Sequence, residues 1–226
     1  MDTKTVYEAA YKGDFEFVKA KLEENNSLLT QADSNQRLLF HWAVLSGNVK
    51  LVTYLIDLGI PINPVDDTDT TPLILASSAG RTEIVKMILD RCDDVNHKTS
   101  QGHSALQYAA SKGWTEICKY LLDKGANINI TDMRGSTPLH RAASKGNIQV
   151  LNLFLSDYAD DLNINVKDIY GNTPLHLACE EDRQEEATLL VEHGADIEIK
   201  NRDQQTPLDL CTPKLARLLK SKAKSA

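Results

Sequence analysis

Six histidines and four cysteines are the side chains of this sequence best suited to hold a metal ion or to act as acid, base or nucleophile. A site built from them would need a constellation set apart from the background pattern. His41, His140 and His176 instead recur at one position of a repeated string, so whatever they do is done three times. That arrangement predicts structural hydrogen bonds to neighbouring backbone. Cys118 and Cys179 fall on apolar helix faces and read as small core residues. The sequence has no CxxC, HExxH, GxSxG or GxxxxGK(S/T) string, and no carboxylate pair outside the repeats. No catalytic, cofactor-binding or metal-binding residue is assigned, no cofactor is expected, and an enzyme is not expected.

The string itself is clearest at Thr137-Pro138-Leu139-His140-Arg141-Ala142-Ala143-Ser144-Lys145-Gly146. Thr137 can cap a helix with its hydroxyl, and Pro138 suits the first helical position, where the N–H has no intrahelical partner. Leu139, Ala142 and Ala143 form a narrow apolar face, and Gly146 supplies a left-handed end. Two turns of helix are not stable alone. Copies begin at Leu38, Thr71, Ser104, Thr137, Thr173 and Thr206, at steps of 33, 33, 33, 36 and 33 residues, and a degenerate copy runs from Lys4 to Ala9. A glycine follows the first helix of the first five units, at Gly13, Gly47, Gly80, Gly113 and Gly146, with Asp182 in its place in the sixth unit. A second amphipathic segment comes next, as in Ile117, Tyr120 and Leu121, followed by a short extended turn. The three extra residues of the fifth unit fall around Asp160, Asp161 and Leu162 and are expected to bulge from a connection after the second helix.

Composition sets bounds on function. A net charge of -7 argues against a broad nucleic-acid surface, and no run approaches the ~18 apolar residues of a membrane span. The N-terminal stretch lacks the apolar core of a secretory signal. The few, scattered cysteines fit a reducing compartment, so cytoplasm and nucleus are the expected locations. The cations Lys214, Arg217, Lys220, Lys222 and Lys224 read as a solvated helix end.

With TPLHxAAxxG and the 33-residue step in hand, the chain resembles ankyrin-repeat proteins. The resemblance implies an all-α repeat solenoid of seven ankyrin repeats, each a β-turn finger and two antiparallel helices, elongated and curved. The units are placed at 1–32, 33–65, 66–98, 99–131, 132–167, 168–200 and 201–226, forming a single domain with caps at both ends. Binding is expected on finger tips and exposed first-helix positions. The candidates are Arg37, Trp42, Asp67, His103, Lys112, Arg134, Lys145 and Tyr170. Cations at Arg37, Lys112, Arg134 and Lys145 alternate with an acidic finger, Asp66, Asp67 and Asp69, and an acidic spot at Glu180 and Glu181. Asn63, Asn96, Asn129 and Asn165 recur beside the fingers, where they can bond turn backbone; the resemblance also makes them possible hydroxylation targets.

Longer strings narrow the resemblance. QADSNQRLLFHWAVLSGNVKLVTYLIDLGIPIN, SAGRTEIVK, LQYAASKGWTEI, PLHRAASKGN and GNTPLHLACEEDRQEEATLLVEHGADI are similar to the gankyrin family of assembly chaperones of the proteasome regulatory particle. That resemblance implies a monomer when free, with no nucleic-acid or membrane partner, that clasps the C-terminal domain of one proteasomal ATPase subunit on a concave face. Arg37 and Lys112 map onto the family's basic contacts. It also implies links to retinoblastoma protein, a cyclin-dependent kinase and the ubiquitin ligase of p53. Leu177, Cys179 and Glu181 spell LxCxE, a retinoblastoma-binding pattern, although it overlaps a helix while the motif binds extended. The alternative is a cell-cycle regulator that binds a cyclin-dependent kinase, a class that usually has four or five repeats.

Overall fold

The computed structural model describes residues 5–224, so Lys4, the first residue of the degenerate copy, lies outside the described residues. The chain forms two compact units that meet in sequence between Gln101 and Gly102. The first contains α1 (Val6–Tyr11), α2 (Phe15–Glu24), a 3-10 turn (Asn26–Leu29), α3 (Leu39–Ser46), α4 (Val49–Asp57), α5 (Pro72–Ser78) and α6 (Thr82–Leu89). The second contains α7 (Ala105–Lys112), α8 (Thr115–Asp123), α9 (Pro138–Lys145), α10 (Ile148–Asn152), α11 (Pro174–Glu180), α12 (Gln184–Glu192), α13 (Pro207–Leu210) and α14 (Pro213–Ala223). Among the described residues the only β pairing outside helices is an isolated bridge between Ala32 and Leu38.

The odd-numbered helices are the first helices of successive repeats. In the first unit α1 packs on α3 and α3 on α5; in the second, α7, α9, α11 and α13 stack in series. Small residues make this close stacking possible. Ala9 and Ala10, Ala43 and Val44, Ala109 and Ala110, and Ala142 and Ala143 are all buried at equivalent positions. The even-numbered helices bury Leu, Ile and Val against them, as with Leu51, Val52 and Leu55 on α4 or Ile117, Leu121 and Leu122 on α8. A repeat cannot bury its apolar face alone, so its helices are stable because neighbours cover them.

The local signals act as the string predicts. Thr71, Ser104 and Thr137 accept from the N–H of Ile74, Gln107 and His140 at the helix starts. Asp182 takes the left-handed conformation of the glycine it replaces, with φ of 49°. The fifth repeat differs from expectation. Its second helix widens from α10 into a π turn over Leu153–Asp157, so that it spans ten residues where the fourth repeat's α8 has nine. Part of the three-residue insertion is therefore absorbed inside the helix, as π turns absorb an extra residue, and only the remainder extends the connection near Asp160.

Candidate protein-interaction face

Five of the six fingers are each pinned by one Asp or Asn, the fourth having Thr99 at that position. Asp33 Oδ1 accepts from the N–H of Asn35 and Arg37, at 2.8 and 2.9 Å. Asp66 does the same for Thr68 and Thr70, Asp132 for Arg134 and Ser136, Asp168 for Tyr170 and Asn172, and Asn201 for Asp203 and Gln205. Three residues on, the chain turns left-handed. Gly102, Gly135 and Gly171 stand there in three fingers, and Gln36, Asp69 and Gln204 in three others. At Gly171 a Cβ would come within 2.9 Å of the Arg202 N–H nitrogen, so the next finger packs where only hydrogen fits. Fingers also bond tip to tip: Ile169 donates to the Arg134 carbonyl and Arg202 to that of Tyr170.

The second carboxylate oxygen decides what each finger presents. Asp33 Oδ2 accepts from the Trp42 indole N–H at 2.9 Å. Asp132 Oδ2 pairs with Arg141, nine residues further on, as Trp42 is from Asp33. Both donors occupy the x of the TPLHxAA string on a first helix. In the third repeat that position is Leu75, which has no donor. Asp66 Oδ2 is bonded by Arg37 of the preceding finger instead, at 2.9 Å.

In the first unit this produces a compact aromatic and charged group. The Arg37 guanidinium lies 5.1 Å from the Trp42 ring centroid, and Tyr11 meets Trp42 edge-on at 5.9 Å. Asp66 is buried, which opposes its ionisation, but the Thr68 hydroxyl, the N–H groups of Thr70 and Thr68, and Arg37 together hold its carboxyl at about 2. This corrects the reading of Asp66 as part of an exposed acidic finger: its charge is spent on the turn and on Arg37. Asp67 and Asp69 are exposed, and Asp69 also supplies a carbonyl to the His97 ring. Arg37 is half-buried.

In the second unit the corresponding group is charged and imidazole-bearing. His103 lies 3.7 Å from Asp132 Oδ2 and 3.3 Å from the Arg141 guanidinium, with Tyr108 at 3.4 Å on its other ring nitrogen. Burial and the adjacent Arg141 cation lower its pKa, outweighing Asp132. Neutral His103 thus accepts from Arg141 at Nε2 and carries its proton at Nδ1, toward Tyr108. Beside it, a cleft of about 80 Å³ is lined by His103, Gln107, Tyr108, Ser111 and Arg141. Lys112 and Lys145 are exposed at the ends of α7 and α9, and Arg134 is exposed on its finger. Met133, Ile169 and Tyr170 are large exposed side chains on neighbouring fingers, Met133 at 71% exposure.

Sequence reasoning missed Arg141, which the x of TPLHxAA places against the finger. The signal was present: an Asp nine residues before a side chain with an N–H donor, found at 33 and 42 and again at 132 and 141. The predicted histidine role is seen at His140 and His176, whereas the buried Nε2 of His41 makes no hydrogen bond to the next finger. His140 Nδ1 accepts from the Thr137 N–H and Nε2–H donates to the Asn172 carbonyl; His176 bonds Thr173 and Gln205 in the same way. Gln107 performs both tasks in the fourth repeat, from Ser104 to Ser136. His41 keeps the Leu38 bond at 3.0 Å. Burial pushes all three histidines below their ordinary pKa, so the neutral tautomer is the structural one. Asn129 and Asn165 bond backbone of the following repeat, at Asn163 and Asp196.

Leu177 and Cys179 lie within α11, and Glu181 caps its end. Cys179 is 1% exposed, and burial pushes its thiol well up. An extended LxCxE peptide would require α11 to open. Glu180 and Glu181 are exposed.

Comparison with known proteins places these features in context. A family model described as ankyrin repeats in three copies matches residues 6–99 and 91–168, and a second, of many copies, matches 158–211. Over 63 residues, 28% of the chain, the sequence is 43% identical to the human 26S proteasome non-ATPase regulatory subunit 10 and 42% identical to its mouse counterpart. That stretch spans 28% and 27% of those relatives, little more than a quarter of their length. The crystal structure of the human ASB11 ankyrin repeat domain covers 96% of each chain with a TM-score of 0.81, at 24% identity, a likeness of fold alone.

Proposed function

The chain belongs to the ankyrin-repeat family, and from that premise we propose that it is a non-enzymatic assembly chaperone of the proteasome regulatory particle. It acts in the cytoplasm and nucleus by holding the C-terminal domain of one ATPase subunit. The observation that carries this reading is the 63-residue likeness to a regulatory subunit of the 26S proteasome. The chemistry of the fingers supports it. Lys112, Arg134 and Lys145 present unburied cations beside the exposed apolar tips Met133, Ile169 and Tyr170. Such a surface suits an acidic partner surface with apolar patches. Exposed charges contribute only about 0–1 kcal/mol each, so they set orientation and association rate, while apolar contacts supply most of the affinity.

Arg37 and Lys112 differ as contacts. Lys112 offers its whole ammonium, whereas Arg37 already shares its charge with Asp66 and its face with Trp42. Arg37 therefore works as a fixed, oriented donor, and a substitution there disturbs the finger as well as the partner. The cleaner test uses Lys112→Glu. Individually expressed C-terminal domains of the proteasomal ATPases are captured on the immobilised chain. The expected result is retention of one of them by the wild type and a strong loss with Lys112→Glu. Capture of none would overturn the function, and equal capture by both chains would remove Lys112 from the contact.

A further inference from the structure

A groove of about 260 Å³ opens between α1 and the second finger, lined by Thr5, Tyr7, Glu8, Tyr11, Asp33 and Trp42. Pockets for small molecules usually hold ~300–1,000 Å³, so this one is sized for a single side chain. Its walls are three aromatic rings. Tyr11 and Trp42 stand at 86° to each other, which gives two perpendicular surfaces. Both Trp42 and Tyr7 are tethered, Trp42 by its N–H to Asp33 and Tyr7 by its hydroxyl to the Gln31 carbonyl at 3.1 Å. The rings are thus oriented before anything binds. Tyr11 is 55% exposed and forms the open side.

The charged residues that line the groove are Glu8 and Asp33, both acids; no lysine or arginine lines it. The field of Asp33 reaches the Tyr7 phenol, whose pKa is raised first by burial and then by that charge. Aromatic faces carry negative potential and attract cations, an attraction that grows when the cation is desolvated. Trp42 already serves as such a platform, for Arg37 of its own chain. An apolar side chain would fill the groove without using either carboxylate. A lysine uses both features: its methylenes lie on the rings and its ammonium meets rings and acids together.

We propose that this groove is a receptor for the ammonium of a lysine side chain, free or N-methylated, presented by a protein partner. The site does not depend on which partner carries the lysine, nor on the contacts of Lys112. It gives the first unit a cation-accepting pocket, whereas the second unit exposes the cations Lys112, Arg134 and Lys145.

The test is an NMR titration of the full ¹⁵N-labelled chain, following the Trp42 indole N–H, with that of Trp114, outside the groove, as internal reference. The probes are N-acetyl-lysine amide, its Nε-trimethyl form and the neutral N-acetyl-norleucine amide. Both cations are expected to shift the Trp42 signal saturably while norleucine does not, and Tyr11→Leu is expected to weaken cation binding about fivefold. Tyr11 is exposed, so the variant should keep its fold, as an unchanged Trp114 signal and circular dichroism would show. Norleucine binding as tightly as lysine, no saturable shift with either cation, or undiminished binding by folded Tyr11→Leu would each overturn the proposal.

Discussion

Asp33 in the second finger and Asp132 in the fifth hold their turns through the same pair of backbone N–H groups, and each reaches a donor nine residues on. What they reach differs. Trp42 returns an indole, and the surroundings become aromatic; Arg141 returns a guanidinium, and a neutral histidine settles beside it. The lesson is that the finger and the helix start are scaffold, while one side chain at the x of TPLHxAA sets the character of the local surface. The third repeat shows the alternative. With Leu75 at that position, Asp66 recruits Arg37 from the preceding finger, so a missing donor in one repeat couples it to its neighbour.

The carboxylates should be the most costly parts to remove. Asp132→Ala deletes two backbone bonds and the Arg141 pair from a buried site, and is expected to cost about 3–5 kcal/mol. Asp33→Ala loses two backbone bonds and a neutral indole bond at a half-buried site, and should cost about 2 kcal/mol. Urea midpoints of the two variants measure the difference. Equal losses would mean that Arg141 adds nothing to the fifth finger beyond what Trp42 adds to the second.

Replacing the donors sharpens the same contrast. Leucine occupies the equivalent helix position in three other repeats, at Leu75, Leu177 and Leu210, so it is compatible with the helix. Arg141→Leu is expected to cost about 2 kcal/mol and Trp42→Leu about 1 kcal/mol. The former carries a second, local signature. Removing the cation that lowers the His103 pKa leaves Asp132 beside it, so His103 should titrate at higher pH than in the wild type. An unmoved His103 titration by NMR would contradict the geometry drawn for this group.

Much of this was legible in the sequence, and the boundary has a physical reason. Thr71, Thr137 and Asp182 act within their own repeat, and His140 and His176 act on a finger at a fixed distance, so the 33-residue period reports them. Asp66 was misread because its burial depends on what Leu75 lacks and on what Arg37 in another repeat supplies. The π turn at Leu153–Asp157 was missed for a related reason: spacing counts inserted residues but does not say whether a helix or a loop absorbs them. The groove beside Trp42 needed ring angles, which no pattern of letters contains.

The repeated histidines mark where the sixth and seventh fingers depend on pH. His140 and His176 have pKa values lowered by burial, so the folded chain keeps them neutral where the unfolded chain takes up protons, below about 6.5. The unfolded state then binds more protons, and stability falls as pH drops through that range; above it these residues add no pH dependence. Gln107 shows that an amide can make both hydrogen bonds. His140→Gln should therefore stay within about 1 kcal/mol of wild type at pH 7. It should lose less stability than wild type between pH 7 and 5. An equal loss in urea midpoints would assign the pH dependence elsewhere.

The smallest effects are expected at the exposed lysines, and their smallness separates surface from scaffold. Lys112 and Lys145 end α7 and α9, where a cation favours the helix dipole by about 0.3–1 kcal/mol at low salt. Lys112→Ala and Lys145→Ala should thus shift stability by no more than about 0.5 kcal/mol, less still at high ionic strength, where such interactions are screened. Arg37→Gln makes the informative counterpart, because it takes the charged donor from buried Asp66 and should cost about 1–3 kcal/mol with little relief from salt. Comparing the three by urea unfolding at two salt concentrations distinguishes charges held for a partner from a charge held for the fold. If Arg37→Gln proved as mild and as salt-sensitive as the lysine variants, the bond to Asp66 would be incidental, and Arg37 would join Lys112 as a purely surface cation.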